Sequence, residues 1–287
     1  NMKIGIIGAG KVGCSMGKYF VENGIPVAGF YSRHQESAEQ AATFTKTEKF
    51  DSLTSLVDLC DMVFIATPDD AIREVWNRIH SLSIENKVIC HFSGSLSSDV
   101  FSRREQTGAL CCSLHPMYAF SDRFTSYEKL NTVIFSIEGD KQGIVRLREL
   151  FLPLGNSVYK IASDKKVKYH CAASMVSNMM IGLYELSIRM LEDCGLDQEQ
   201  ARLFVEPLVR GNIENVLNTS SAEALSGPIE RGDLETVKKH LMVLRGREKR
   251  IYQDLGQIVL QIAEEKNPDR DYAELEELIS AVSTEME

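Results

Sequence analysis

The chain of 287 residues has one tryptophan and seven prolines, and its seven cysteines never fall into C-x-x-C spacing. Without that spacing neither a zinc site nor a disulfide framework has support, and no metal is expected; scattered thiols in odd number point to a reducing compartment, the cytoplasm. Cys111 and Cys112 are adjacent in a strand-like stretch and should face opposite sides. No apolar run is long enough to span a bilayer, and the N-terminal stretch lacks the charged, apolar and cleavage regions of a signal peptide. Basic residues are in deficit: 32 Lys and Arg against 41 Asp and Glu give a formal charge of -9. That balance argues against nonspecific binding to nucleic acid or an anionic membrane, leaving a small molecule as the expected partner. Asn1 ahead of Met2 reads as the remnant of an expression tag and is set aside. No Gly-, Ser- or Pro-rich linker divides the chain, which is long enough for two directly packed domains.

What is present begins at Lys3-Ile4-Gly5-Ile6-Ile7, an apolar run that breaks into Gly8-Ala9-Gly10-Lys11-Val12-Gly13 and then a helical pattern closed by Gly24. A strand, G-x-G-x-x-G and a helix in that order read as a dinucleotide site. Gly8 permits the tight turn, Gly10 lets backbone approach a pyrophosphate, and Gly13 lets the helix pack close to the sheet. The pyrophosphate would sit on the unpaired N–H groups of the helix start. The second strand, Pro26 to Tyr31, ends in Ser32-Arg33-His34, with no acidic residue before Glu36. An NAD site favours a carboxylate there for the ribose 2′-OH, whereas Ser32 and Arg33 suit a 2′-phosphate, so NADP(H) is the expected cofactor. Ala66, Thr67 and Pro68, at the end of a later strand, complete the expected cofactor-binding set.

From Lys3 to about Ile161, short apolar runs alternate with helical or polar stretches, the rhythm of an α/β doubly wound, mostly parallel sheet. Strands are expected at 62–66, 88–92, 109–114, 132–137 and 157–161, with helices at 35–44, 53–59 and after Thr67-Pro68-Asp69-Asp70. Beyond Ile161 the pattern becomes all-α. Ser163 or Asp164 should cap one long helix ending at Cys194-Gly195, followed by helices at 198–217, 234–244, 247–266 and 272–285. Pro207 should bend or divide the first of these, and Ser226-Gly227-Pro228 should be a break, with Asp233 capping the next helix. The expected domains are therefore a Rossmann-type dinucleotide-binding domain, 2–161, and a helical substrate and dimerisation domain, 162–287.

Several polar groups fall where a cleft at the sheet's C-terminal edge is expected. Ser93-Gly94-Ser95 and His115-Pro116-Met117 each follow a strand; the serines either meet a ligand or cap the next turn. Pro116 holds His115 extended, and its imidazole could move the proton that accompanies hydride transfer. Lys166, His170, Ser174 and Asn178 are spaced by four and form one polar stripe, lining either a wet cleft or a solvated face. Ala172, Ala173, Met175, Val176 and Met179 suggest that much of this helix is buried. Met179-Met180-Ile181 and Leu183 read either as a subunit contact or as core within one chain. Lys166 near the helix start should have a lowered pKa. Arg231 either holds an anionic substrate group or pairs with Asp233 or Glu230. The catalytic candidates are His115, Lys166, His170, Asn178 and Ser93.

These pieces resemble a family joining a Rossmann-like domain to a domain of unknown function, DUF2520, whose members are described as candidate NADP oxidoreductases. The resemblance covers nearly the whole chain. It rests on the glycine motif, Tyr31-Ser32-Arg33, Phe92-Ser93-Gly94-Ser95 and Leu114-His115-Pro116-Met117, and further along on Lys166-Val167-Lys168-Tyr169-His170, Ser177-Asn178, Ala224-Leu225-Ser226-Gly227-Pro228-Ile229 and Arg231-Gly232-Asp233. More distantly the layout is similar to pyrroline-5-carboxylate reductases, F420-dependent NADP oxidoreductases and prephenate dehydrogenases. That likeness implies a C-terminal domain like that of 6-phosphogluconate dehydrogenase and a homodimer through its helices. In prephenate dehydrogenases a His-Pro motif supplies the catalytic histidine with a supporting serine, which places His115 and Ser93 or Ser95 in those roles; the motif is not continued at Tyr118-Ala119-Phe120. The combined expectation is an NADP(H)-dependent oxidoreductase acting on a carbonyl or imine carbon of a small polar metabolite. The alternatives are a noncatalytic NADP(H) sensor and a protein that moves hydride between NADP and F420.

Overall fold

A computed structural model describes residues 2–282, and these form two compact units, Asn1–Met179 and Met180–Glu287. The first is a Rossmann-type unit. Its strands are β1 (Ile4–Ile7), β2 (Val27–Tyr31), β3 (Glu48–Lys49), β4 (Met62–Ile65), β5 (Val88–His91), β6 (Leu110–Pro116), β7 (Phe135–Gly139) and β8 (Val158–Lys160). They make one sheet in the order β3-β2-β1-β4-β5-β6-β7-β8, parallel throughout except where β7 runs antiparallel to β6. The strand order reverses at β1, so the exits of β1 and β4 flank the crevice in which open α/β sheets bind ligands.

Helices α1 (Lys11–Glu22), α2 (Gln35–Thr45), α3 (Leu53–Leu59), α4 (Asp69–Ile79) and α5 (Lys141–Phe151) cover the sheet. Because both faces are covered, its central strands read as unbroken apolar runs. In β4, Met62 and Phe64 join the core on one face, with Phe20 and Phe151, while Val63 and Ile65 join the core on the other, with Trp76 and Phe101. Cys111 and Cys112 divide between the same two cores, so the two neighbours do face opposite sides. All seven cysteines are free thiols.

The segment expected as one capped helix has a different local structure. A 3₁₀ turn at Ser163–Lys165 leads into α6 (Lys166–Ser174), a π-helical turn follows at Met175–Met179, and α7 (Met180–Asp193) continues. Neither Ser163 nor Asp164 caps it, since the residue ahead of α6 is Lys165, which offers no side-chain bond. The compact-unit boundary falls at the end of the π turn rather than at 161, so α6 belongs with the sheet. Met175, Val176 and Met179 are 60%, 73% and 59% exposed, which corrects the expectation that they are buried. Apolar character alone does not say which surface covers a side chain.

The second unit contains α7, α8 (Gln198–Asn218), α9 (Ser221–Ala224), α10 (Pro228–Arg231), α11 (Leu234–Val243), α12 (Gly246–Lys266) and α13 (Ala273–Ser280). Its core joins Ile229, Val237, Leu241, Leu260, Ala263, Tyr272, Leu275 and Ile279. Asp197 caps α8 in a reciprocal box with Gln200, and Pro207 lies inside the helix without dividing it. The Ser226-Gly227-Pro228 break is a single helical turn entered at Gly227 with φ +101°. Arg231 pairs with Asp233 at 3.7 Å, and Asp233 accepts from the Thr236 amide as the cap of α11. Of the last expected helix, 273–280 is helical, and 283–285 lie outside the described residues. Among the described residues no helix is long and apolar enough to cross a membrane, and no His, Cys, Asp and Glu cluster could hold a metal ion.

Candidate active site

At the exits of β1, β2 and β4 lies a cavity of about 340 Å³ whose wall includes Gly8, Ala9, Gly10, Ser32, Arg33, Ala66, Thr67 and Pro68. The backbone sets its shape. Gly8 has φ +104°, and a Cβ there would come within 2.8 Å of the Ala66 backbone, so only glycine allows β1 to turn so close to β4. A Cβ on Gly13 would stand 2.1 Å from the Gly8 carbonyl oxygen. At Gly10 a Cβ would meet nothing within 4 Å, which leaves open space beside the start of α1. That helix start carries no side-chain cap and no acidic residue in its first turn. Its first N–H groups and partial positive charge are thus left to an anion.

A dinucleotide fits what this cavity lacks as well as what it has. Thr67 Oγ1 and Arg123 Nε are buried polar atoms without partners, and both residues line the wall. Neither atom is open to the cavity, so the fit rests on the open space at Gly10 and the uncapped start of α1. Three of the expected cofactor residues stand back from the wall: Lys11 is exposed on α1, Val12 packs against the core, and Gly13 serves helix packing. Two arginines on the wall, Arg78 and Arg123, were not among the expected cofactor residues. Tyr31 lies under the Arg78 guanidinium at 5.8 Å and accepts a 3.4 Å hydrogen bond from it. Arg123 arrives from a distant loop, where only tertiary structure reveals it.

Further along the same edge, β5 and β6 deliver a histidine cluster. His115 Nδ1 is 2.8 Å from the Tyr169 hydroxyl, and its ring stands nearly perpendicular to those of Tyr169 and His170 at 5.5 and 6.1 Å. Lys166, Tyr169 and His170 occupy positions i, i+3 and i+4 of α6, which is why one helix face brings all three to the sheet edge. Gly94 sits between the rings: a Cβ there would approach His170 Cδ2 to 2.6 Å and His115 Nε2 to 2.8 Å. Burial, reinforced by the positive charge of Lys166, lowers the His115 pKa to about 4, so the imidazole is neutral at pH 7. His115 Nδ1 and the Tyr169 hydroxyl share one hydrogen bond, and Nε2 lies on the Gly94 side. His91, buried and also lowered to about 4 chiefly by burial, shapes the neighbouring loop by accepting from the Ser93 amide and bonding the Ser97 carbonyl.

The other expected chemical residues have supporting positions. Ser93 is buried, with its hydroxyl donating to Asp69 at 2.8 Å and accepting from the Leu96 amide at 3.0 Å, so it closes the loop rather than facing a cleft. Lys166 is 1% exposed, and its ammonium donates to the Ser93 carbonyl and the Ser113 hydroxyl at 2.9 and 2.8 Å. Ser113 in turn donates to buried Glu138, which also accepts from the Ser98 amide and hydroxyl. Burial pulls the Lys166 pKa down to about 8, opposed by Glu138, in the direction expected, although the cause is burial rather than the helix dipole. Asn178 is exposed and bonds only its neighbour Ser177 among the described residues. Asp69, the first residue of α4, follows cavity residue Pro68 and binds both Ser93 and Ser95, which ties the histidine cluster to the dinucleotide cavity.

Residues 2–91 match the model of an oxidoreductase family with an NAD-binding Rossmann fold, and residues 133–259 match that of DUF2520, a domain of unknown function. No curated protein matches the chain. Among solved structures, protein TM1727 from Thermotoga maritima is 24% identical with a TM-score of 0.73, over 92% of this chain and 99% of that one. A candidate NADP oxidoreductase from Bacteroides fragilis is 22% identical with a TM-score of 0.70, over 91% and 98%. A pyrroline-5-carboxylate reductase from Coxiella burnetii is 15% identical with a TM-score of 0.60, over 93% and 97%. At these identities the likeness is one of fold: an oxidoreductase-type Rossmann domain joined to a DUF2520 region.

Proposed function

We propose that this protein is an NADP(H)-dependent oxidoreductase that transfers hydride to or from a carbonyl or imine carbon of a small polar metabolite. The observation that carries the reading is the His115–Tyr169–His170 cluster joined through Asp69 to the cavity at the glycine turn on one sheet edge. A nicotinamide bound there supplies the hydride chemistry. Gly8, Ala9 and Gly10 give the pyrophosphate close backbone approach, Thr67 offers a hydroxyl, and Ser32 with Arg33 meets a 2′-phosphate. With Tyr169 donating to Nδ1, His115 gives its Nε2 hydrogen to the substrate oxygen or nitrogen as the carbon is reduced while the phenol proton moves to Nδ1; a solvent proton taken at Nε2 and return of the Nδ1 proton to Tyr169 then reset the pair. His170 orients the substrate from the other side of Gly94. Lys166 holds the Ser93–Gly94 turn, and its charge adds to the burial that keeps His115 neutral.

The helical region supports self-association. In the second unit Ile181, Leu203, Phe204, Leu208 and Leu217 are all exposed, Phe204 by 67%, and apolar side chains gathered so densely on two adjoining helices suit a second copy of the chain. We assign a homodimer to this surface.

The test is titration with NADPH and NADH, followed by NADPH oxidation with ketoacids, cyclic imines and F420. Tighter NADPH binding, turnover with a carbonyl or imine substrate, and loss of turnover in His115→Ala with binding intact are expected. NADPH binding without turnover across the panel would favour a sensor, turnover with F420 alone would favour the deazaflavin reaction, and unchanged turnover in His115→Ala would remove that residue from the chemistry.

A further inference from the structure

Three arginines line the dinucleotide cavity, Arg33, Arg78 and Arg123, and among the described residues none has a carboxylate within ion-pair distance; the arginine ion pairs lie elsewhere. Glu74 is the one acidic side chain on the wall. A dinucleotide without a 2′-phosphate offers only its pyrophosphate charges, and the start of α1 already faces those. A 2′-phosphate brings roughly 1.5 to 2 further negative charges, which a surplus of unpaired guanidinium groups suits.

Arg123 is the best placed of the three to be a fixed recognition group. It lies on the loop that follows the His115-Pro116 end of β6. Its two terminal nitrogens donate to α2, one to Gln40 Oε1 at 2.7 Å and one to the Ser37 carbonyl at 3.2 Å. Helix α2 begins directly after Ser32-Arg33-His34, and Ser37 and His34 are on the same cavity wall. The loop is braced independently of Arg123. Asp122 Oδ1 accepts from the Phe124 and Thr125 amides at 2.7 and 3.0 Å, and the Phe124 ring packs edge-on against Phe44 of α2 at 5.0 Å. Asp122 is therefore committed to the loop and, among the described residues, makes no ion pair with Arg123. The guanidinium is thus held by α2, on the cavity wall that it shares with Ser32 and Arg33.

We propose that Arg123 is a specificity residue for the 2′-phosphate, which it binds together with Arg33. The proposal rests on the NADP(H) reading and goes beyond it. It makes the loop leaving the catalytic histidine strand part of the cofactor site, so one segment serves both ends of the active edge. Two N–H donors held by α2 cost the side chain its freedom before the ligand arrives, which favours binding.

The experiment is calorimetric titration of the wild type, Arg33→Ala, Arg123→Ala, Arg123→Gln and Arg123→Lys with NADPH, NADH, 2′,5′-ADP and 5′-AMP. The last two probes carry the adenosine end with and without the 2′-phosphate. Arg123→Ala is expected to weaken NADPH and 2′,5′-ADP by roughly 10- to 100-fold, the range for a charge-assisted hydrogen bond, while NADH and 5′-AMP stay within about 2-fold. Arg123→Gln, which can still bond α2 without charge, should show the same selective loss, and Arg123→Lys should recover part of it. Equal loss of NADPH and NADH, or no loss of either, would overturn the proposal while a selective loss in Arg33→Ala left the NADP(H) reading standing. A wild type with no preference for NADPH would overturn both.

Discussion

Along one sheet edge two functional regions are built by different means. The dinucleotide cavity is a backbone construction: a left-handed Gly8, an open Gly10 and a Gly13 pressed against the Gly8 carbonyl, all within one short turn. The histidine cluster is a side-chain construction assembled from the exits of β5 and β6 and from one face of α6, elements far apart in sequence. A site made of backbone depends on residues that lack a side chain, and each change adds atoms where none fit. A site made of converging side chains depends on spacers such as Gly94 and on buried braces such as Lys166, so it fails by displacement instead.

The largest effects should separate the three glycine roles. Gly13→Ala places a methyl 2.1 Å from the Gly8 carbonyl oxygen. Its overlap outweighs the gain in helix propensity, and a loss of about 2 kcal/mol or more is expected in denaturant unfolding. Gly10→Ala meets no atom within 4 Å, and its φ of -80° is open to alanine. Stability should change by less than about 0.5 kcal/mol. Affinity for either dinucleotide should still fall at least about tenfold, because the methyl occupies the space for the pyrophosphate. If Gly10→Ala binds both nucleotides normally, the open space beside α1 is not the phosphate site.

At the other end, Gly94→Ala tests displacement. The added methyl would stand 2.6 Å from His170 and 2.8 Å from His115, so the rings must move apart. A shift on the order of 1 Å in a catalytic group costs roughly 100-fold in rate, and NADPH affinity should stay within about 2-fold. Normal turnover in this variant would mean that the two rings need not approach each other for catalysis.

The same contrast explains what could be read from the amino acids. The glycine motif, Ser32-Arg33 and the alternation of strands and helices are local signals. His115 was legible because proline follows it at a strand end. Tyr169 was not singled out, because a tyrosine on a helix takes its role only from the strand it meets, and Arg123 was hidden in a loop whose partner is α2. Lys166 was noticed as a chemical group. The structure gives its ammonium to Ser93 and Ser113, contacts that a helical spacing cannot reveal. Asn178 lies in the π turn at Met175–Met179, a break in the regular repeat that the spacing of four does not show.

The smallest effect concerns the charge of Lys166. His115 is held at about 4 mainly by burial and secondly by that charge. In the folded state His115 therefore binds fewer protons than the unfolded chain between pH 6.5 and 4. Stability from this group is complete above pH 6.5 and is lost as pH falls toward 4. Lys166→Met removes the charge but leaves the ring buried. The His115 pKa should rise by about half a unit to one unit, stopping short of its ordinary value because burial remains. Imidazole proton and nitrogen shifts followed by NMR across that range would measure it, with the acid unfolding midpoint as a second readout. The midpoint also carries the cost of leaving the Ser93 carbonyl and Ser113 hydroxyl without their donor, about 1–3 kcal/mol, which lowers stability at every pH. Only the His115 titration itself isolates the electrostatic part. A His115 pKa unmoved by Lys166→Met would show that burial alone keeps the ring neutral, and Lys166 would then act on the active edge solely through the Ser93–Gly94 turn that it holds.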